Sequence, residues 1–344
     1  MGEKKSRKKP RHLRHAALRA ARRSLVDITP ENSHPQKQSP LFSVLPPELR
    51  NKIFEFAVAQ CSDHSQPVRK NSWRYRPGHE FETKTDTALL RTCRLIYYET
   101  RTIPLRSTTH HVHSRRTPQG QAVGDHWLFH LSSQQGQHLY HLHDYMTVIG
   151  LSSLSKFVTV PHLMWKKVTW TIRASLWPQW FAHDVAVKLD PHIDLRTMTF
   201  PASCQEVNLE LETLASMTEQ RELLERYAKA CRRVRLTRSD VTKLSLDSSS
   251  CLEYTWTGPP NGSCTINTNT FLNHLQNDGS DVTLHVIRLC WRSPGSSREY
   301  THYDHLNCLK TELAKTGVMD SHRSGSHLEV NSHIYQGIPA FFHN

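Results

Sequence analysis

Histidine comes closest in this sequence to a pattern that could do chemistry. Eight of the 24 histidines fall at His110, His111, His113, His126, His130, His138, His141 and His143. HxH and HxxxH spacings both occur among them, and either can bring two imidazoles to one metal ion. No carboxylate or cysteine accompanies them in a recognised ligand pattern, so no metal site is expected. Eight cysteines, at positions 61, 93, 204, 231, 251, 264, 290 and 308, contain no CxxC pair and read as reduced thiols acting as small hydrophobes. A GxSxG elbow, a GxxxxGK[ST] phosphate loop, a GxGxxG turn and an HExxH helix are all missing from the sequence. The expectation is a non-enzymatic protein with no catalytic residue and no cofactor.

Binding residues are the alternative to catalytic ones, and two groups stand out. Trp177 and Trp180 bracket Pro178 after a strand-like run, in a tryptophan-rich segment that also holds Trp165 and Trp170. Large amphipathic rings at a strand end can line a recognition surface, although packing into the core is their commoner use. The second group is a basic arm. Residues 1–23 hold Lys4, Lys5, Arg7, Lys8, Lys9, Arg11, Arg14, Arg19, Arg22 and Arg23 against Glu3, which is nine of the net +13 charges of the chain. Such a run suits a nuclear import signal or an arm binding nucleic-acid phosphates by counterion release; its bland alternative is a solvated tail.

Docking surfaces need rigid elements beneath them, and the firmest lie just after this arm. Pro46 and Pro47 suit only the first turn of a helix, and Glu48 complements the positive end of its dipole. Leu49, Ile53, Phe56 and Ala57 then recur at helical spacing, predicting an amphipathic helix over 48–59. A second helix is predicted over 88–102, with Leu89, Cys93, Ile96 and Thr100 on one stripe and Pro104 ending it.

The runs LPPELRNKIFEFAV and TALLRTCRLIYYETR resemble the N-terminal element of a large group of uncharacterised filamentous-fungal proteins described as F-box-like. In that group an LPxELRxxIYExA helix precedes an ALLxxCRxIYxEA helix and a strand. Phe54 stands here where the group has Tyr, and Thr100 where it has Ala. The likeness covers residues 42–113, about a fifth of the chain. It implies docking on the Skp adaptor of a cullin-RING ubiquitin ligase through Leu45, Pro46, Leu49, Ile53, Leu89, Cys93 and Ile96. Residues 60–86 depart from the pattern: they are longer than an ordinary F-box connection and carry Trp73, Tyr75 and Phe81.

Beyond that element the sequence predicts α+β material. Strands are expected over 105–113, 127–129, 166–175, 185–189, 205–211, 243–246, 252–257 and 282–291, and helices over 138–149, 217–234 and 270–276. Ser216 and Glu219 have capping-box spacing for the helix at 217–234, and the strands near Leu244 and Tyr254 are expected to pair. The whole reads as a basic tail and linker (1–40), an F-box-like helical pair with a following strand (41–113), an α+β domain (114–320) and a C-terminal tail (321–344). The sheet is expected to be mixed or antiparallel with helices packed on one side. No run approaches the roughly 18 consecutive apolar residues of a membrane helix. The start lacks a secretory signature, so the nucleus or cytoplasm is the expected location and a membrane is not an expected partner.

Overall fold

The computed structural model describes residues 25, 27–69, 75–76, 79–113, 126–146, 157–172, 195–258 and 281–294. Helix α1 (Pro47–Val58) starts as its prolines require, with Pro46 at the N-cap and Glu48 in the first turn. The second helix is broken. A 3-10 turn, Ala88–Arg91, is followed by Cys93 in an extended conformation and then by helix α2 (Arg94–Thr100). The Thr92 hydroxyl donates to the Leu89 carbonyl at 2.8 Å, the kind of local bond that competes with helix continuation. A further short helix, α3 (Ile103–Ser107), takes the first part of the expected strand at 105–113, because Pro104 fits a first helical turn.

Between α1 and the 3-10 turn, the long connection folds as a hairpin. Strand β1 (Cys61–Pro67) pairs antiparallel with β2 (Phe81–Lys84). Phe54, Val58, Ile96 and Ile103 form a small buried cluster beneath the helices, edged by Leu41, Phe42, Leu89, Leu90 and Cys93.

The rest of the described chain is built on one mixed, nine-stranded sheet. Strands β3 (Thr109–His113), β4 (His141–Met146), β5 (Lys167–Ile172) and β7 (Glu206–Leu214) run parallel in that order. The short strand β6 (Thr199–Phe200) precedes β7 in the chain. The long strand β11 (Val282–Arg292) pairs antiparallel with β7 over nine residue pairs, Leu284 to Arg292. Its other edge takes β10 (Leu252–Gly258) and then, at Trp291 and Arg292, β9 (Lys243–Leu246). From β9 the path continues through β8 (Leu236–Arg238) to β6. The sheet therefore curls: Phe200 of β6, at its far end, lies 5.4 Å from the Trp170 ring of β5. Inside the curl Val168, Trp170, Ile172, Val207, Leu209, Leu211, Leu289 and Trp291 are buried. Helix α4 (Thr218–Cys231) covers β7 and β11 with Leu224, Ala228 and Cys231.

Four further expectations are corrected by this architecture. Residues 141–146 are strand rather than helix, because Leu142 faces one side while His141, His143 and Tyr145 face the other, and all are buried. Burial on both faces removes the alternation that marks a strand. Residues 126–129 form one helical turn, not a strand, with Leu128 buried beneath it. Strands β9 and β10 do not pair with each other but follow one another along β11. Helix α4 begins at Thr218 with Met217 as its N-cap and no side-chain cap, so Ser216 and Glu219 form no capping box. A complete capping box sits elsewhere, between Ser132 and Gln135. The expected strand at 185–189 and helix at 270–276 lie outside the described residues.

Candidate docking site

Helix α1 is held to its neighbours by charge as well as by packing. Arg50 reaches Glu99 of α2 at 3.0 Å, donates to the Leu45 carbonyl at 2.9 Å and stands over the Phe42 ring at 5.1 Å. Glu55 accepts from Arg106 of α3 at 2.7 Å. With Phe54 and Val58 turned into the cluster, these contacts fix the helix by its inner face and two flanks. Leu49 and Ile53, one turn apart, are left on its outer side at 49% and 47% exposure, with Val44 just before the helix at 73%. Three of the six large hydrophobics exposed among the described residues thus fall between 44 and 53. Uncovered apolar side chains are individually ordinary; here two of them lie one turn apart on a braced helix, with a third just ahead of it.

The seven residues that the resemblance implies for docking divide between core and surface. Ile96 is buried in the cluster, and Leu89 and Cys93 pack against it. Leu45 is half-buried and Pro46 exposed. Leu49 and Ile53 face outward, joined by Val44, which the helical pattern omitted because it precedes the prolines. The basic arm, with Lys4, Lys5, Arg7, Lys8, Lys9, Arg11 and Arg14, and the pair Trp177 and Trp180 lie outside the described residues.

The histidines meet a different fate. Strand pairing aligns polar side chains in rows across the outer face of the sheet: His111, His143, Thr169 and Asn208 form one row, and Tyr145, Thr171, Glu210 and Arg288 the next. Arg76, from the hairpin connection, descends onto this face. It donates to Thr171 Oγ1 at 3.0 Å and to Glu210 Oε2 at 2.8 Å. The Thr171 hydroxyl donates in turn to Glu210 Oε2 at 2.7 Å, so His143 Nε2, 2.9 Å from the same hydroxyl, is the donor and carries the proton. His141 lies between Thr109 at 3.0 Å and Thr169 at 2.9 Å. The His79 ring packs edge-on to His111 and His143, with centroids 5.0 and 5.8 Å away.

Burial, reinforced by neighbouring cations and imidazoles, holds His141 and His143 well below the ordinary histidine range. Burial pushes His110 down to about 4, with the Leu105 carbonyl at 3.3 Å working against it. Neutral imidazoles bonded at their ring nitrogens and a carboxylate held at Oε2 by Arg76 and Thr171 form a structural layer that fastens the hairpin to the sheet. Burial likewise pushes the Cys204 and Cys290 thiols up to about 12 and Cys231 to about 11, which leaves them protonated and poor nucleophiles. The six cysteines among the described residues are all free.

No protein-family model, curated protein or solved structure matches this chain. Among the described residues, no helix is long and apolar enough to cross a membrane.

Proposed function

We propose that this chain is a non-enzymatic protein-interaction module that docks through Val44, Leu49 and Ile53 of its N-terminal helical unit. The observation that carries this reading is that Leu49 and Ile53 stay exposed on a helix braced by ion pairs to both following helices, with Val44 exposed just ahead of it. The likeness of 42–113 to F-box-like sequences names the partner to try: the Skp adaptor of a cullin-RING ubiquitin ligase, with the curled sheet as the frame that presents a substrate surface. Fold-level analogy does not set function, so the test must be direct. The full chain should co-purify with an Skp adaptor. Leu49→Asp with Ile53→Asp should abolish capture while shifting stability by no more than about 0.5 kcal/mol per exposed site. An adaptor that the unmodified chain fails to retain refutes the assignment.

The concentration of nine of the thirteen net charges in residues 1–23 favours a second role, nuclear import or nucleic-acid association through the arm. Deleting 1–23 should then remove nuclear accumulation and salt-sensitive binding to RNA or DNA together.

A further inference from the structure

We propose that Glu225, Glu253 and His285 bind a divalent transition-metal ion of the zinc type, which staples helix α4 to the paired strands β10 and β11. The three residues come from three elements and each offers one ligating atom, all lying within 4.8 Å of one another. His285 stands on the inner face of β11 beneath α4, and its side chain is only 7% exposed. Its Nε2 is sealed from solvent and makes no hydrogen bond, while Glu253 Oε1 stands 3.5 Å away. A buried polar nitrogen is ordinarily satisfied, and one left open toward two carboxylates is short of one ligand-bridging atom.

The donor set also selects the ion. Imidazole suits zinc and its first-row neighbours, whereas magnesium and calcium favour an all-oxygen shell. Three protein ligands leave zinc a fourth, outward position for water, and the half-exposed carboxylates provide the route in. Arg221, 3.4 Å from Glu225 in a solvent-exposed i,i+4 pair, is a weak competitor that the ion displaces.

The proposal is tested on the full chain with zinc chloride, reading the unfolding midpoint and the occupancy of the tightest site against a chromophoric chelator. Zinc should raise the midpoint in a concentration-dependent way, since it binds the folded chain in preference to the unfolded one. Glu225→Gln and Glu253→Gln, both at half-exposed positions that tolerate substitution, should each weaken that site by at least the ~10-fold that loss of even an outer-shell partner costs. His285→Asn should remove it. Magnesium at the same concentration should leave the midpoint unmoved. No zinc-dependent rise in the unmodified chain overturns the assignment. So does an equal rise in all three variants, which would place the zinc on histidines elsewhere, or an equal response to magnesium, which would make it carboxylate binding alone.

Discussion

Arg76 and Glu210 show how a single residue can fasten two parts of this fold. Their side chains are both buried, and the bond between them spans 134 positions of sequence. Burial alone would raise the Glu210 carboxyl, but Arg76 beside it and the Thr171 hydroxyl hold it below the ordinary carboxylate range. An ion pair of this kind is strongly asymmetric in its response to mutation. Arg76→Met strands a buried carboxylate and should cost about 3–5 kcal/mol in urea denaturation, whereas Arg76→Met with Glu210→Leu should recover most of that loss. A double variant as unstable as the single one would mean that Arg76 acts through packing rather than charge. None of this was legible in the sequence. The strand around Glu210 was, from its alternating pattern, but no local pattern ties it to an arginine in a distant connection. The HxH spacing of His141 and His143 was equally visible, and misleading as a hint of metal. In a strand that spacing places both rings on one face, where threonines of β3 and β5 take up their nitrogens.

At the scale of elements, α1 separates what periodicity reveals from what it hides. Its boundaries follow from Pro46, Pro47 and Glu48, and the sequence recovers them to within a residue. The stripe of Leu49, Ile53, Phe56 and Ala57 is real, yet the helix buries Phe54 and Val58, because α2 and α3 approach from that side. A helix that is apolar on two sides does not announce which one its neighbours take. The two sides differ sharply in consequence. Phe54→Ala should destabilise by about 3–5 kcal/mol as a fully packed aromatic is lost, while Leu49→Ala should stay within about 0.5 kcal/mol; thermal unfolding of the two variants makes the comparison. A large loss at Leu49 would show it to be core and would remove the docking face. Strands divide in the same way. Residues 167–172 read correctly because Val168, Trp170 and Ile172 alternate with threonines, and 141–146 did not because buried histidines replace the expected exposed polar positions.

The described residues join a curled sheet, apolar within, to an outer polar face covered in part by Arg76 and His79 of the hairpin connection, and that second burial makes the fold sensitive to acid. An unfolded chain holds its histidines near 6.5, whereas His141 and His143 in the folded chain titrate well below that value, chiefly because burial disfavours the imidazolium. Below about pH 6.5 the unfolded state therefore takes up protons that the folded state refuses, and stability falls as pH falls. Glu206 and Glu210 act lower down. Burial raises each, but the cations Lys167 and Arg292 around Glu206, and Arg76 at Glu210, bring both below the ordinary 4.5. Their contribution is complete above that value and is lost as pH drops through their lowered folded range. Two stages should follow in urea midpoints measured from pH 8 to pH 3. Stability should be level above pH 7, decline from about pH 6.5 with up to about 1.4 kcal/mol per pH unit for each buried imidazole, and fall more steeply below about pH 4.5. His143→Gln keeps a donor for Thr171 and removes a titrating ring, so it should take one imidazole's share out of the first stage and leave the second unchanged. A profile flat between pH 7 and pH 5 would mean that these rings reach water in the folded chain, and that the hairpin connection does not cover them.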